Sequence, residues 1–237
     1  MPLPADLGTR FLPENTAVLR WAVTHVPPAS SEWTFASHPL AAEESDIISW
    51  CSGWADRETP RPAGVVFWGE AGTGKTGLAI AALRVCAERA DGDTALWNLL
   101  TLAHAQGRAA TRVRPAPVWF ESWMDLSARL RRARTARWVS GEEYVTEETI
   151  LEELEERCAV LAVDDIDLGP MTSGKEVVLL SLLRRVERGQ RTIFTANVGP
   201  KEFMARFGER CADRLLDEKY IALVPLHGRS RRRRDPA

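Results

Sequence analysis

Residues Gly69, Glu70, Ala71, Gly72, Thr73, Gly74, Lys75 and Thr76 spell GEAGTGKT, and no other feature constrains the fold of this chain as much. Glycines at these spacings let backbone N–H groups converge on a row of phosphates. The lysine reaches the β- and γ-phosphates, and the threonine hydroxyl takes a magnesium position. Chance alone produces such a string now and then, so its flanks decide. The apolar run Val65 to Trp68, entered through the breaker-rich Glu58-Thr-Pro-Arg-Pro-Ala-Gly64, predicts a buried strand ending at the loop. Residues 75–89 predict a helix with Leu78, Ala82, Leu83 and Cys86 on one face. Strand, glycine loop and helix N-terminus in that order are what phosphate binding requires. The expectation is an α/β P-loop NTPase that binds ATP with Mg2+.

The rest of the chain alternates in the same way. Helical spacing is read over 41–55, where Ile47, Ile48, Cys51, Trp54 and Ala55 form one apolar stripe, and over 94–106, 125–137, 147–156, 176–186, 201–207 and 209–216. Strands are read at 115–120, 158–163, 192–195 and 220–224, and such alternation implies a mainly parallel sheet flanked by helices. At 237 residues the chain suits one core with short appendages. These are an N-terminal helical segment over 1–57, a core over 58–228 and a basic tail over 229–237. The formal net charge of -2 excludes a globally basic nucleic-acid binder, so any such surface is local. Four cysteines without a CxxC pair argue against zinc and disulfide frameworks, no apolar run approaches the roughly 20 residues of a membrane span, and a cytoplasmic location is expected.

Asp164 and Asp165 end the apolar strand over 158–163. At that position the first carboxylate orients a magnesium shell and the second polarises a water for attack on the γ-phosphate. The bland alternative is a solvated pair at a strand end, and Asp167 reads as a solvated third acid. Asn197 follows the strand over 192–195 on the same sheet edge, where its amide can bond the attacking water or the γ-phosphate; a turn residue is the alternative.

Arg108, Arg112, Arg114, Arg129, Arg131, Arg132, Arg134 and Arg137 face only Glu121 and Asp125 within 108–137, a local basic excess suited to nucleic-acid phosphates. The eight glutamates of 142–156 offer the opposite reading, in which the two stretches pair on the surface. Trp119, Trp123 and Trp138 lie beside the basic stretch and invite base stacking, with core packing as the alternative. His25, His38, His104 and His227 show no ligand spacing and are assigned no chemistry.

Taken in order, GEAGTGKT, the strand with Asp164-Asp165-Ile166, the strand with Thr195-Ala196-Asn197, and Gly208-Glu-Arg-Cys-Ala-Asp-Arg-Leu215 resemble the DnaC/DnaI/IstB-type AAA+ ATPases. The likeness runs from about Val26 to the Gly228-Arg-Ser-Arg segment. It implies a five-stranded AAA+ core, Asp164 and Asp165 as the Walker B acids, and Asn197 as a sensor; as a departure from that pattern, no lid domain is expected after Leu226. It also implies that Arg214 or Arg210 is offered to a neighbour's ATP, and that basic residues belong where Arg184-Arg185 stand. Asp165 replaces the glutamate of AAA+ proteins at large, so hydrolysis is expected to be slow and stimulated by DNA or a partner. The implied function is a replicative helicase loader that self-associates with ATP and binds DNA, single-stranded by expectation. An IstB-type transposase-helper ATPase is the alternative within the family, with a transposase as partner. A small-molecule P-loop kinase is the alternative from another class.

Overall fold

The computed structural model describes residues 33–40, 45–56, 61–89, 116–135, 146–156 and 158–228. The first part of the N-terminal segment (1–32) and the readings at 94–106, Arg108, Arg112, Arg114, Arg137, Trp138 and the tail lie outside them. The elements are α1 (Ser45–Asp56), β1 (Gly64–Trp68), α2 (Lys75–Arg89), β2 (Ala116–Ser122), α3 (Trp123–Thr135) and α4 (Glu147–Glu156). They continue with β3 (Cys158–Asp164), α5 (Ser173–Glu187), β4 (Arg191–Ala196), α6 (Pro200–Phe207), α7 (Glu209–Leu215) and β5 (Ile221–Pro225). Helix α5 begins three residues earlier than its periodicity predicts, because the Thr172 hydroxyl caps it by accepting from Lys175 N–H at 3.3 Å.

The five strands form one all-parallel sheet in the order β2-β3-β4-β1-β5. Residues alternate between its two faces. Val65, Phe67, Ala162 and Ile193 join α1 and α2 in one core, while Val66, Leu161, Val163 and Phe194 join α3 to α7 in the other. A sheet covered on both faces explains why β1 and β3 read as continuous apolar runs. The crossover from β1 passes over β4 and β3 to reach β2 on one face, and the later crossovers return on the other. The connections therefore diverge between β1 and β4, and ligands of open α/β sheets bind at the strand carboxyl ends beside such a point.

Buried arginines fasten the periphery. Arg185, 0% exposed, donates to Leu154 O and Glu155 O, each at 3.0 Å, and to Thr192 Oγ1 at 3.2 Å. It thereby satisfies the last carbonyls of α4, where a cation also suits the helix dipole. Arg191 lies over the Trp54 ring at 4.1 Å and donates to Ala55 O at 3.1 Å, tying the end of α1 to the start of β4.

Candidate nucleotide site

The glycine loop joins β1 to α2 at the carboxyl edge of the sheet. Gly69 has φ +145, and a Cβ there would stand 2.1 Å from Leu226 O, so only glycine lets the chain leave β1 beside β5. The Gly69 N–H donates to Ala196 O at 3.3 Å and ties the loop to the end of β4. Lys75, 4% exposed, donates its Nζ to Gly69 O at 2.8 Å and Glu70 O at 2.7 Å. The ammonium is thus held over the loop. Thr73 braces the same turn by donating its hydroxyl to Glu70 O at 2.9 Å.

One strand separates the loop strand from the acid strand, and β4 supplies the link. Asp164 accepts from Thr76 Oγ1 at 3.0 and 3.1 Å, and from Thr195 Oγ1 at 2.6 Å. The Thr195 hydroxyl in turn accepts the Asp165 N–H at 2.8 Å. Asp165 has φ 55, the one non-glycine residue in the left-handed region among the described residues, and short polar side chains tolerate that conformation best. Asn197 Nδ2 donates to Asp165 Oδ1 at 3.1 Å. Thr76, both aspartates and Asn197 are therefore joined by one set of hydrogen bonds, although they come from three separate parts of the sequence.

Burial pushes the Asp164 carboxyl up to about 6, and the neighbouring Asp165 charge adds to the rise. The Thr195 and Thr76 hydrogen bonds and the Lys75 charge act in the opposite direction. A half-buried carboxylate beside a second one, facing a hydroxyl, is an oxygen-only donor set short of positive charge. It fits a hard divalent cation such as Mg2+.

Asp167 corrects the sequence reading, because it is not a solvated acid. It is 6% exposed and its Oδ1 accepts the Asn197 N–H at 2.9 Å, fixing the start of the turn after β4. Arg206 of α6 donates to the Asp167 carbonyl. Thr195 was named only as part of the Thr195-Ala196-Asn197 segment and given no role; its signal was a hydroxyl near the carboxyl end of a strand, two residues before Asn197. His38 was assigned no chemistry, yet it is 2% exposed with Nε2 at 3.0 Å from Gly74 O. Nothing local marks it, since 36 residues separate the two. Two cysteines suit packing better than nucleophilic chemistry, because burial pushes the Cys51 thiol up to about 12 and the Cys211 thiol up to about 11.

The arginines of the sequence reading part company. Arg214 on α7 lies 3.4 Å from Glu187, the last residue of α5, rather than pairing with Asp217 or Glu218. Glu187 lies just before the amino end of β4, whereas Asn197 follows its carboxyl end, so the partner of Arg214 and the partner of Asp165 stand at opposite ends of that strand. Arg210 is exposed on the same helix. Arg134 pairs with Glu147 through two nitrogens, as the surface-pairing alternative held, whereas Arg129 pairs with the buried Glu121 of its own stretch. Arg131 and Arg132 are exposed, each donating Nε to a carbonyl of its own helix at 3.3 Å. Trp123 is core, 1% exposed, and Trp119 is half-buried with its N–H on Glu121 at 2.9 Å. Arg184 is exposed and Arg185 is the buried strut described above.

The parallel five-stranded sheet, the loop on β1 and the acid pair on β3 define an AAA+ type P-loop ATPase fold. Solved structures of replication proteins share it. DnaI superposes with a TM-score of 0.57 at 16% identity, covering 87% of this chain and 94% of that one. The DnaC helicase loader gives 0.54 at 17% identity, covering 84% and 99%. DnaA from Aquifex aeolicus, bound to AMPPCP, gives 0.57 at 13% identity, covering 85% and 51%. The chain thus spans about half the length of that DnaA and 50% of a DNA replication initiation factor, but nearly all of the DnaC and DnaI chains. At such identities the likeness establishes the fold. No protein-family model matches the chain, and no curated protein does.

Proposed function

We propose that this chain is an ATP-dependent AAA+ ATPase that self-assembles on DNA and loads a replicative helicase. The observation that carries the ATPase reading is the hydrogen-bonded set Thr76, Asp164, Thr195, Asp165 and Asn197 beside the glycine loop. Lys75 and the N-terminal N–H groups of α2 hold the phosphates. Thr76 and Asp164 hold Mg2+, which neutralises charge on the phosphates when bound. Asn197 holds one oxygen of Asp165, and the other oxygen orients a water toward the γ-phosphate. Thr195 keeps Asp164 and Asp165 at fixed separation, so the ion-holding and water-orienting carboxylates stay in their separate roles.

The loader reading is supported by near end-to-end likeness to chains described as DnaC and DnaI. Arg214, paired with Glu187 rather than with its own acids, suits a guanidinium that acts on ATP held by a neighbouring copy. Arg131 and Arg132, exposed on α3, suit single-stranded DNA phosphates. The test is an ATPase assay with and without single-stranded DNA, combined with capture of the chain's partners in the presence of ATP. Turnover that rises with DNA and recovery of a replicative helicase support the proposal. Recovery of a transposase moves the chain to the transposase-helper reading, and phosphate transfer to a small acceptor makes it a kinase. Blending Arg214→Ala with Lys75→Ala subunits, each inactive alone, restores part of the rate if Arg214 acts in trans. A co-assembled blend that stays inactive refutes that role.

A further inference from the structure

Residues 33–40 precede the glycine loop by some 30 positions, yet they pack onto its far side. Leu40 is fully buried with α1 and α2, and Trp33 and Phe35 pack against the same cluster. A turn closed by Thr34 N–H to Ser37 Oγ at 2.9 Å and Ser37 N–H to Thr34 Oγ1 at 3.0 Å delivers His38 to the loop. The His38 Nδ1 accepts the Leu40 N–H at 3.2 Å, which assigns the ring proton to Nε2. That Nε2–H donates to Gly74 O at 3.0 Å. The Trp33 ring meets the imidazole edge-on, with centroids 5.2 Å apart. A Cβ on Gly74 would stand 2.8 Å from His38 Cε1, and one on Gly77 2.3 Å from Trp33 Cε3. Both positions are glycine where these rings approach the backbone.

Gly74 O also accepts the Leu78 N–H at 3.0 Å, the first bond of α2. In a trans peptide the carbonyl and the following N–H point in opposite directions. A carbonyl held by Leu78 and His38 therefore turns the Lys75 N–H outward from the helix N-terminus, among the donors that have no partner within the helix. A second donor on one carbonyl polarises that peptide unit and strengthens its N–H as a donor. We propose that His38 is a positioning residue of the glycine loop, holding the Gly74–Lys75 peptide with the Lys75 N–H aimed at bound phosphates. The proposal rests on the ATP-binding reading of the loop.

The experiment titrates ATP and ADP, with Mg2+, against the full chain carrying His, Ala, Asn or Gln at position 38, and melts each protein without nucleotide. A glutamine amide reaches the position of Nε2, whereas an asparagine amide reaches only that of Nδ1. The expected result is that His38→Ala and His38→Asn weaken both nucleotides about three- to tenfold, the worth of one hydrogen bond, while His38→Gln stays within about twofold of the parent. Without nucleotide, the Asn and Gln variants melt together. Equal losses of affinity for Asn and Gln, or parent-like affinity for Ala, overturn the proposal; the Asn and Gln pair decides it if the Ala variant does not fold. A parent chain that binds neither nucleotide overturns the reading of the loop itself, and this proposal with it.

Discussion

Replacing Thr195 by valine tests the link between the two carboxylates most directly. Thr195 is 1% exposed, and its hydroxyl both donates to Asp164 Oδ1 at 2.6 Å and accepts the Asp165 N–H at 2.8 Å. Valine keeps the shape and removes both bonds. A hydrogen bond to a charged acceptor is worth about 1.5 to 3 kcal/mol, and a stranded amide costs about 1 to 3 kcal/mol. Both aspartates are half-buried, so water recovers part of each loss and the expected destabilisation is about 2 to 4 kcal/mol. For a chain of this size that lowers the melting temperature by about 5 to 12 °C. Because the lost bond had favoured the charged form of Asp164, its carboxyl moves further up from about 6, and Mg2+-dependent ATP binding at pH 7 weakens. Raising the pH to 8 recovers part of that affinity, and Thr195→Ser, which keeps the hydroxyl, restores both properties. The assays are thermal melts without nucleotide and ATP titrations at several magnesium concentrations. A valine variant that melts within a degree of the parent and keeps its magnesium dependence would falsify the bridging role.

The raised Asp164 carboxyl sets a pH dependence of its own. The folded chain keeps that proton to about pH 6, whereas the unfolded chain releases it near pH 4, so this group lowers stability as pH rises through that window. Without metal, Asp164→Asn is therefore expected to be about 1 to 3 kcal/mol more stable than the parent at pH 7 and to lose the advantage near pH 4; equal stability at both pH values in denaturant melts refutes the burial argument. Arg185→Met strands three carbonyls and is expected to cost about 2 to 4 kcal/mol with ATP affinity unchanged, while Arg184→Met stays within about 0.5 kcal/mol in the same melts. Replacing Arg131 and Arg132 together by alanine is expected to weaken single-stranded DNA binding and flatten the plot of log affinity against log salt by up to about 1.4, with the melting temperature held; an unchanged slope moves the DNA contact elsewhere.

Local chemistry made much of this protein readable in one dimension. GEAGTGKT, the apolar run before it and the helical spacing after it are all contained within 64–89, so loop, strand and helix are set by neighbours along the chain. Periodicity likewise marked every described helix and strand to within a few residues, because burial on one face or two writes itself into spacing. The acids were legible for the same reason, as the polar end of an apolar strand. What spacing does not carry is which strands lie side by side. The placement of β1 between β4 and β5, with β4 alone between β1 and β3, depends on how whole crossovers pack on the two faces, and it is this order that brings Thr195 onto Asp164 across 31 residues. The same limit hid the His38 contact with Gly74, the burial of Asp167 and the division between Arg184 in solvent and Arg185 in the core. Side chains of one type differ in role there because tertiary packing withdraws one from water and leaves its neighbour exposed. A buried polar group must then find partners, wherever in the chain they come from.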